Sequence, residues 1–431
     1  MIKKTDILQS LKGEFGKNIL TLSSGTALAQ IIPFLFYPII ARIFTPAEFG
    51  LLALLTTIIT ILSEFASGKY ELGILVAKTK QDAANLVGLT ILLSFIVVIV
   101  IYLILQLFFA ELLSQELKEP QLKNWLFICP IASFSIIIYG TYNEWCVRNG
   151  YFKNLAINKI TNSSAITLSK LFLGLVKIFS QGGLVIGDLT GRLFSAGACI
   201  FRAFQKDAAA FKEVSLVQMK KLAKEFVEFP KFIMPGRLLS EIGKYFPVLF
   251  LASYFNSVEV GYFSMTMLVF SVPVNIISFA VKDVFRQRAN EELKNTGNCR
   301  NIYIKVLKIL SIMAVVGILL FILLLPFIFS IFLGKQWNVA SYYAQILTIP
   351  VLLSFVATPL FDVLIITNKL KINLLWQIYY AVITFLSLWI GCALYKNVIM
   401  ALSFLAIGRS SAYLLSILLS YRYAKGNLLK N

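Results

Sequence analysis

Stretches of about twenty predominantly apolar residues, the length a helix needs to cross bilayer hydrocarbon, follow one another along nearly all of this 431-residue chain. Lipid offers no hydrogen-bond partners, so such a stretch must satisfy its backbone internally, as a helix or within a closed barrel. A barrel strand needs only about ten residues, and these runs are longer than that, so helices are expected. We place spans at residues 20–43, 50–67, 86–109, 125–142, 156–178 and 182–201, then at 232–252, 260–280, 303–333, 341–366, 372–395 and 398–420. Composition agrees, with 58% of residues hydrophobic and 14% charged, against roughly a quarter charged in soluble domains. The expected class is an all-α integral membrane protein of about twelve transmembrane helices.

The connections test that count, because Lys and Arg collect in cytoplasmic loops. Most of the 40 basic residues fall in alternate segments, 1–19, 68–85, 146–159, 202–231, 281–308, 368–371 and 421–431. Outer connections hold only Arg42, Lys118, Lys123, Lys335 and Lys396. Both termini are therefore expected in the cytoplasm. Residues 1–17 carry Lys3, Lys4, Lys12 and Lys17 without a cleavage-like ending, so no signal peptide is expected. The net charge of +19 is dispersed along the topology, and nucleic acid is not an expected partner. Segment 202–231 mixes Lys220, Lys221 and Lys224 with Leu216, Val217, Met219 and Leu222. That pattern suits an amphipathic helix resting on the anionic inner leaflet, and equally a solvated tether.

The chain also repeats itself. Residues 41–50 read A-R-I-F-T-P-A-E-F-G and residues 252–261 read A-S-Y-F-N-S-V-E-V-G, each between two apolar runs. Without gaps, Ala41, Phe44, Glu48 and Gly50 fall on Ala252, Phe255, Glu259 and Gly261. We read two homologous six-helix bundles, 1–201 and 232–431, joined by the basic segment 202–231. Two parallel halves are an arrangement transporters use, with substrate held near the midplane. Arg42, Glu48, Gly50, Glu259 and Gly261 are assigned to the structural turn that ends one span and starts the next.

Histidine is absent and the five cysteines are scattered, which removes histidine-based triads, the commonest zinc sites and a disulfide framework. No cofactor or metal is expected. The chemistry that remains is charge inside the spans, where each ionised group costs about 2.5–3.5 kcal/mol at the bilayer centre and faces a partner or a cavity. Arg237, Glu241 and Lys244 lie at i, i+4 and i+7 of one helix and share a face that is expected to turn away from lipid. Asp188 and Arg192 have the spacing of an intrahelical ion pair, and a structural pair and a substrate role are both open for them. Lys170 and Arg409 lie well inside their spans, whereas Glu64 and Asp362 lie near cytoplasmic ends. With Lys177, basic residues outnumber acidic ones, so a net cationic cavity is expected, built by Arg237, Lys244, Lys170, Arg192 and Arg409. Guanidinium and ammonium groups suit phosphate or carboxylate oxygens.

The run from Ser24 to Gly50, S-G-T-A-L-A-Q-I-I-P-F-L-F-Y-P-I-I-A-R-I-F-T-P-A-E-F-G, resembles the opening of bacterial polysaccharide flippases, the Wzx-type O-antigen and capsule translocases of the multidrug/oligosaccharidyl-lipid/polysaccharide exporter superfamily. Ala41, Arg42, Phe44, Pro46, Glu48, Phe49 and Gly50 fill that family's turn. The resemblance implies a V-shaped, MATE-like pair of six-helix bundles in the bacterial inner membrane. It implies translocation of an undecaprenyl-diphosphate-linked oligosaccharide, as used for lipopolysaccharide or capsule, with membrane lipids and other polysaccharide-assembly proteins as partners. It also implies coupling to H+ or Na+ in some members, for which Glu64, Asp188 and Glu241 are the carboxylates at hand.

Two other classes compete. An antiporter of small organic cations from the same superfamily should present an acidic cavity, whereas the charges here are net basic. A membrane enzyme of polysaccharide assembly needs a sizeable extramembrane loop, and the longest outer one runs only over about residues 110–124.

Overall fold

A computed structural model of the protein describes residues 14–177, 182–367 and 369–426. Lys3, Lys4, Lys12 and Lys430, part of the charge pattern that put both termini in the cytoplasm, lie outside these residues. Among the described residues, twelve long helices stand where the twelve spans were expected: α1 Glu14–Ile43, α2 Pro46–Ala66, α3 Lys80–Ile104, α4 Ile128–Arg148, α5 Phe152–Val176, α6 Gly183–Lys212, α7 Met234–Tyr254, α8 Ser257–Thr296, α9 Arg300–Ile328, α10 Asn338–Phe361, α11 Leu370–Trp389 and α12 Val398–Ala424. No strand occurs among the described residues. The protein is an all-α, multi-pass membrane protein.

By length and composition, eight of the described helices suffice to cross a membrane, among them α3 and α9 with their extensions. On those two the apolar side chains point outward, with Phe108 72% and Leu323 74% exposed, as a lipid-facing helix requires. Among the described residues, the helices outside that group are α4, α5, α7 and α8, of which α5 and α7 carry charges within their spans.

Local sequence sets the starts. Thr45 and Glu48 form a reciprocal capping box at α2: the Glu48 carboxylate accepts from the Thr45 N–H at 2.8 Å, and the Thr45 hydroxyl accepts from the Glu48 N–H at 3.3 Å. Pro46 fills the first helical position. Asn256 caps α8 by accepting from the Glu259 N–H at 3.1 Å, while Glu259 itself accepts from the Tyr343 hydroxyl. Thr79 and Asn397 cap α3 and α12 in the same way, each cap being worth about 1 kcal/mol.

The chain forms two compact units, residues 1–44 with 51–245, and residues 45–50 with 246–431. Unit 1 has a core around Trp145, Ile74, Leu86, Cys146, Cys199 and Leu222. Unit 2 has one around Phe285, Tyr303, Leu310, Leu360 and Val363, where the Tyr303 hydroxyl donates to the Ile417 carbonyl at 2.9 Å.

Segment 202–231 is helical over most of its length and rests partly on unit 1. Helix α6 runs on to Lys212, bending at Asp207, and Leu216–Glu225 forms a short helix packed on α3. Its residues Met219 and Leu222 are buried, and Leu222 belongs to the unit 1 core. Gly88 makes room for Met219 and Val214, since a Cβ there would fall 2.4 Å from the Met219 methyl and 2.8 Å from a Val214 methyl. Gln218 donates to Asp82 at 2.8 Å and Lys78 pairs with Glu225 at 2.9 Å. Met219 and Leu222 are thus covered by protein, and the exposed face keeps Leu216, Val217, Lys220, Lys221 and Lys224.

Candidate functional site

Helix α5 carries Asn158, Lys159, Asn162, Ser163, Ser164, Thr167 and Lys170, a density of polar groups that lipid would penalise. It tolerates them because α1 and α6 lie against it. On the α6 side the contact is a glycine ladder at every fourth residue, Gly183, Gly187 and Gly191. A Cβ on Gly187 would fall 2.7 Å from the Lys170 Cα, and one on Gly191 would fall 2.3 Å from the Ile166 Cα. Small residues at this spacing let two membrane helices approach backbone to backbone.

That approach brings together three of the charges expected from the sequence. Lys170 Nζ lies 2.7 Å from one oxygen of Asp188, and Arg192 Nε donates to the other. The Lys170 and Asp188 side chains are only 8% and 6% exposed. The i, i+4 pair of Asp188 and Arg192 is present, and Lys170 completes a triad of net charge +1. Asp188 thereby has a fixed cation on each oxygen.

On its other side α5 runs parallel to α1. The two helices meet near one end at Gly25 and Ala156, where a glycine Cβ would lie 2.5 Å from the alanine Cβ. They meet near the other at Gly174, against Phe44 and Ile43. Between these contacts lies a cleft of about 380 Å3. Lys159 and Lys170 line it together with Thr26, Gln30, Tyr37, Tyr139, Asn162, Ser163 and Thr167, and none of the described lining residues is acidic. Lys159 Nζ donates to the Thr26 hydroxyl at 2.9 Å, and among the described residues no carboxylate pairs with it. The Gln30 side-chain oxygen is buried without a hydrogen-bond partner. Sequence reading left Lys159 and Gln30 out. The polar density of α5 was the available signal, but Lys159 fell at the edge of a basic connection, where topology explained it.

The remaining predicted residues are dispersed. On α7, Lys244 lies 3.5 Å from Glu241; Arg237 and Lys244 are exposed, as are Leu239 and Ile242. The face expected to turn inward is therefore not buried within either unit. Arg409 lies over the Tyr380 ring at 5.6 Å, beside Tyr413 and Trp376, with a buried Nε lacking a hydrogen-bond partner. Glu64 pairs with Lys69 at 2.6 Å. Buried Asp362 faces Lys282 at 3.4 Å and Arg286 at 3.8 Å, which ties α8 to the end of α10.

The two repeat turns meet inside unit 2. Arg42 is exposed at the end of α1, but Gly50 and Gly261 are packed so closely that neither admits a side chain. A Cβ on Gly50 would fall 1.7 Å from the Ser257 carbonyl oxygen, and one on Gly261 would fall 1.8 Å from the Pro46 carbonyl oxygen. Pro46 and Ser257 are the first residues of α2 and α8, so each repeat's glycine rests on the other repeat's helix start.

A lipid II flippase, MurJ, in an inward closed conformation is similar in fold, with a TM-score of 0.76 at 13% identity over 94% of this chain and 87% of that one. So is an inward-facing multidrug resistance MATE transporter of the MOP superfamily, with a TM-score of 0.65 at 14% identity over 95% and 96% of the two chains. A MOP superfamily transporter from Pyrococcus furiosus, described as having a binding pocket of reverse polarity, gives 0.60 at 15% identity over 97% of each. No curated protein matches the sequence. The sequence model of one family does match, over residues 39–342, well beyond half the chain. On that match the chain belongs to the family described as polysaccharide biosynthesis protein.

Proposed function

We propose that the protein is a flippase that moves an undecaprenyl-diphosphate-linked oligosaccharide across the bacterial inner membrane by alternating access, without catalysing a covalent step. The observation that carries this reading is the polarity of unit 1's interior: a cleft with two lysines, amides and hydroxyls, and no acidic residue among those described. Such a lining favours an anionic, hydroxyl-rich cargo and disfavours an organic cation, which argues against a cation-exporting drug antiporter. Family membership and the flippase fold support the same class of cargo. Arg237, Lys244 and Arg409 are assigned to further steps of the path. Lys170 and Arg192 hold a structural charge through Asp188. Glu241, paired only at 3.5 Å among the described residues, is the coupling carboxylate we favour over Asp188 and Glu64, with H+ or Na+ as the ion. Both termini are placed in the cytoplasm, with the lysine face of Leu216–Glu225 toward anionic lipid, and other polysaccharide-assembly proteins are the expected partners.

The test is leaflet-resolved transport of a polyprenyl-diphosphate-linked oligosaccharide in liposomes holding the purified chain. Transport should be present and should fall at least tenfold in Arg237→Ala. Uptake of a soluble organic cation with no lipid movement would overturn the proposal.

A further inference from the structure

The α1–α5 cleft holds two features that the Asp188 triad does not use. Lys159 is a cation with a hydroxyl as its partner and no carboxylate beside it among the described residues. Gln30 is a half-buried amide whose side-chain oxygen is itself shielded from solvent and accepts no hydrogen bond among the described residues. Both groups have hydrogen-bonding capacity that no described protein group takes up. Whatever completes the pair must offer negative oxygens to Lys159 and a hydroxyl or amide donor to Gln30. A glycosyl phosphate offers both in one group, whereas a neutral sugar supplies only the second.

The nearby side chains extend this complementarity. Asn162 lies one turn along α5 from Lys159, and Thr167 two turns, while Ser163 is already committed to the Ala29 carbonyl. At the far end Lys170 is held by Asp188, so among the described lining residues Lys159 offers the charge without a fixed counter-ion. The cleft volume of about 380 Å3 lies at the small end of ligand sites and suits a head group better than a whole repeat unit.

We infer that the α1–α5 cleft seats a glycosyl phosphate, the first sugar of a lipid-linked oligosaccharide with the phosphate that bears it, and that Lys159 reads the phosphate and Gln30 the sugar. This rests on the flippase reading above and assigns its head-group site.

Binding to the purified full chain in detergent separates the two roles. The probes are polyprenol, polyprenyl diphosphate, polyprenyl diphosphate bearing one hexose, and a soluble hexose 1-phosphate. Wild type should bind the glycosylated lipid more tightly than the bare diphosphate, and polyprenol least. Lys159→Met should weaken both diphosphates about tenfold or more, and Lys159→Arg should restore them to within about threefold. Gln30→Leu should erase only the gain due to the hexose. Melting temperatures near wild type, expected because neither side chain is paired to a charge, show that the variants fold, and the Lys159→Arg rescue excludes a merely structural loss. Unchanged binding in Lys159→Met, or equal weakening of both diphosphates in Gln30→Leu, overturns the assignment. Soluble hexose 1-phosphate binding as tightly as the lipid-linked form overturns the lipid source. Transport by wild type alongside Lys159-independent binding sinks this site and leaves the flippase reading. Lys159-dependent binding without transport leaves the site and sinks the flippase.

Discussion

Asp188 is the residue whose environment matters most for stability. One carboxylate holds two cations in a place with little water, so removing its charge leaves Lys170 and Arg192 to repel each other. Asp188→Asn should cost about 3–5 kcal/mol, the penalty of breaking a buried ion pair, read as a large fall in melting temperature. Arg237→Ala removes an exposed side chain and should leave melting nearly unchanged, within about 0.5 kcal/mol. Equal effects of the two substitutions would mean that the triad is not the buried network described. Only part of it was legible in the sequence. Asp188 and Arg192 are four residues apart and announce themselves by helical periodicity; Lys170 joins from another helix, and no spacing encodes a contact between helices. Lys159 was hidden for a different reason: charge counting explained it as a loop lysine, whereas it extends from the first turns of α5 into the bundle.

Among the elements, α6 shows how a helix can be designed around absent side chains. Its ladder glycines set the distance to α5, and a methyl at Gly191 would strike backbone, which cannot swing aside. Gly191→Ala should therefore destabilise by about 1–3 kcal/mol, with loss of monodisperse protein on gel filtration as a second sign. Gly197, on the same helix, has nothing within 4 Å of its virtual Cβ. Gly197→Ala should be neutral or stabilising by up to about 1 kcal/mol. Comparable loss from both would show that helix propensity, not the α5 contact, sets the outcome. The four-residue glycine period was visible in the sequence, but charge drew the reading of that span. With Leu216–Glu225 the amphipathic pattern was legible and its partner was not, because Met219 suits lipid and the notch left by Gly88 equally well. Periodicity names a face, and only the fold names what covers it.

At the scale of the whole molecule, the class of fold was open to sequence reading because a bilayer imposes both the length and the polarity of what crosses it. Helix ends were less so. Helix α8 continues from Ser257 to Thr296, through a stretch read as a cytoplasmic loop, since a helix outside lipid needs no apolar run. The repeat at 41–50 and 252–261 was legible as similarity; its reason, the reciprocal seating of Gly50 and Gly261, appears only in three dimensions. The shelter that α5 receives from α1 and α6 also bears on how the chain is made. A segment carrying Lys153, Lys159 and Lys170 is a poor substrate for the insertion machinery when it emerges, because α6 has not yet been synthesised. In an insertion reporter, residues 152–176 alone should stay largely outside the membrane, while 152–212 should insert both helices; efficient entry of α5 by itself would refute this. The ribosome therefore delivers α5 before the helix that completes its shelter, and the two should enter the bilayer together, making their joint entry a checkpoint in biogenesis.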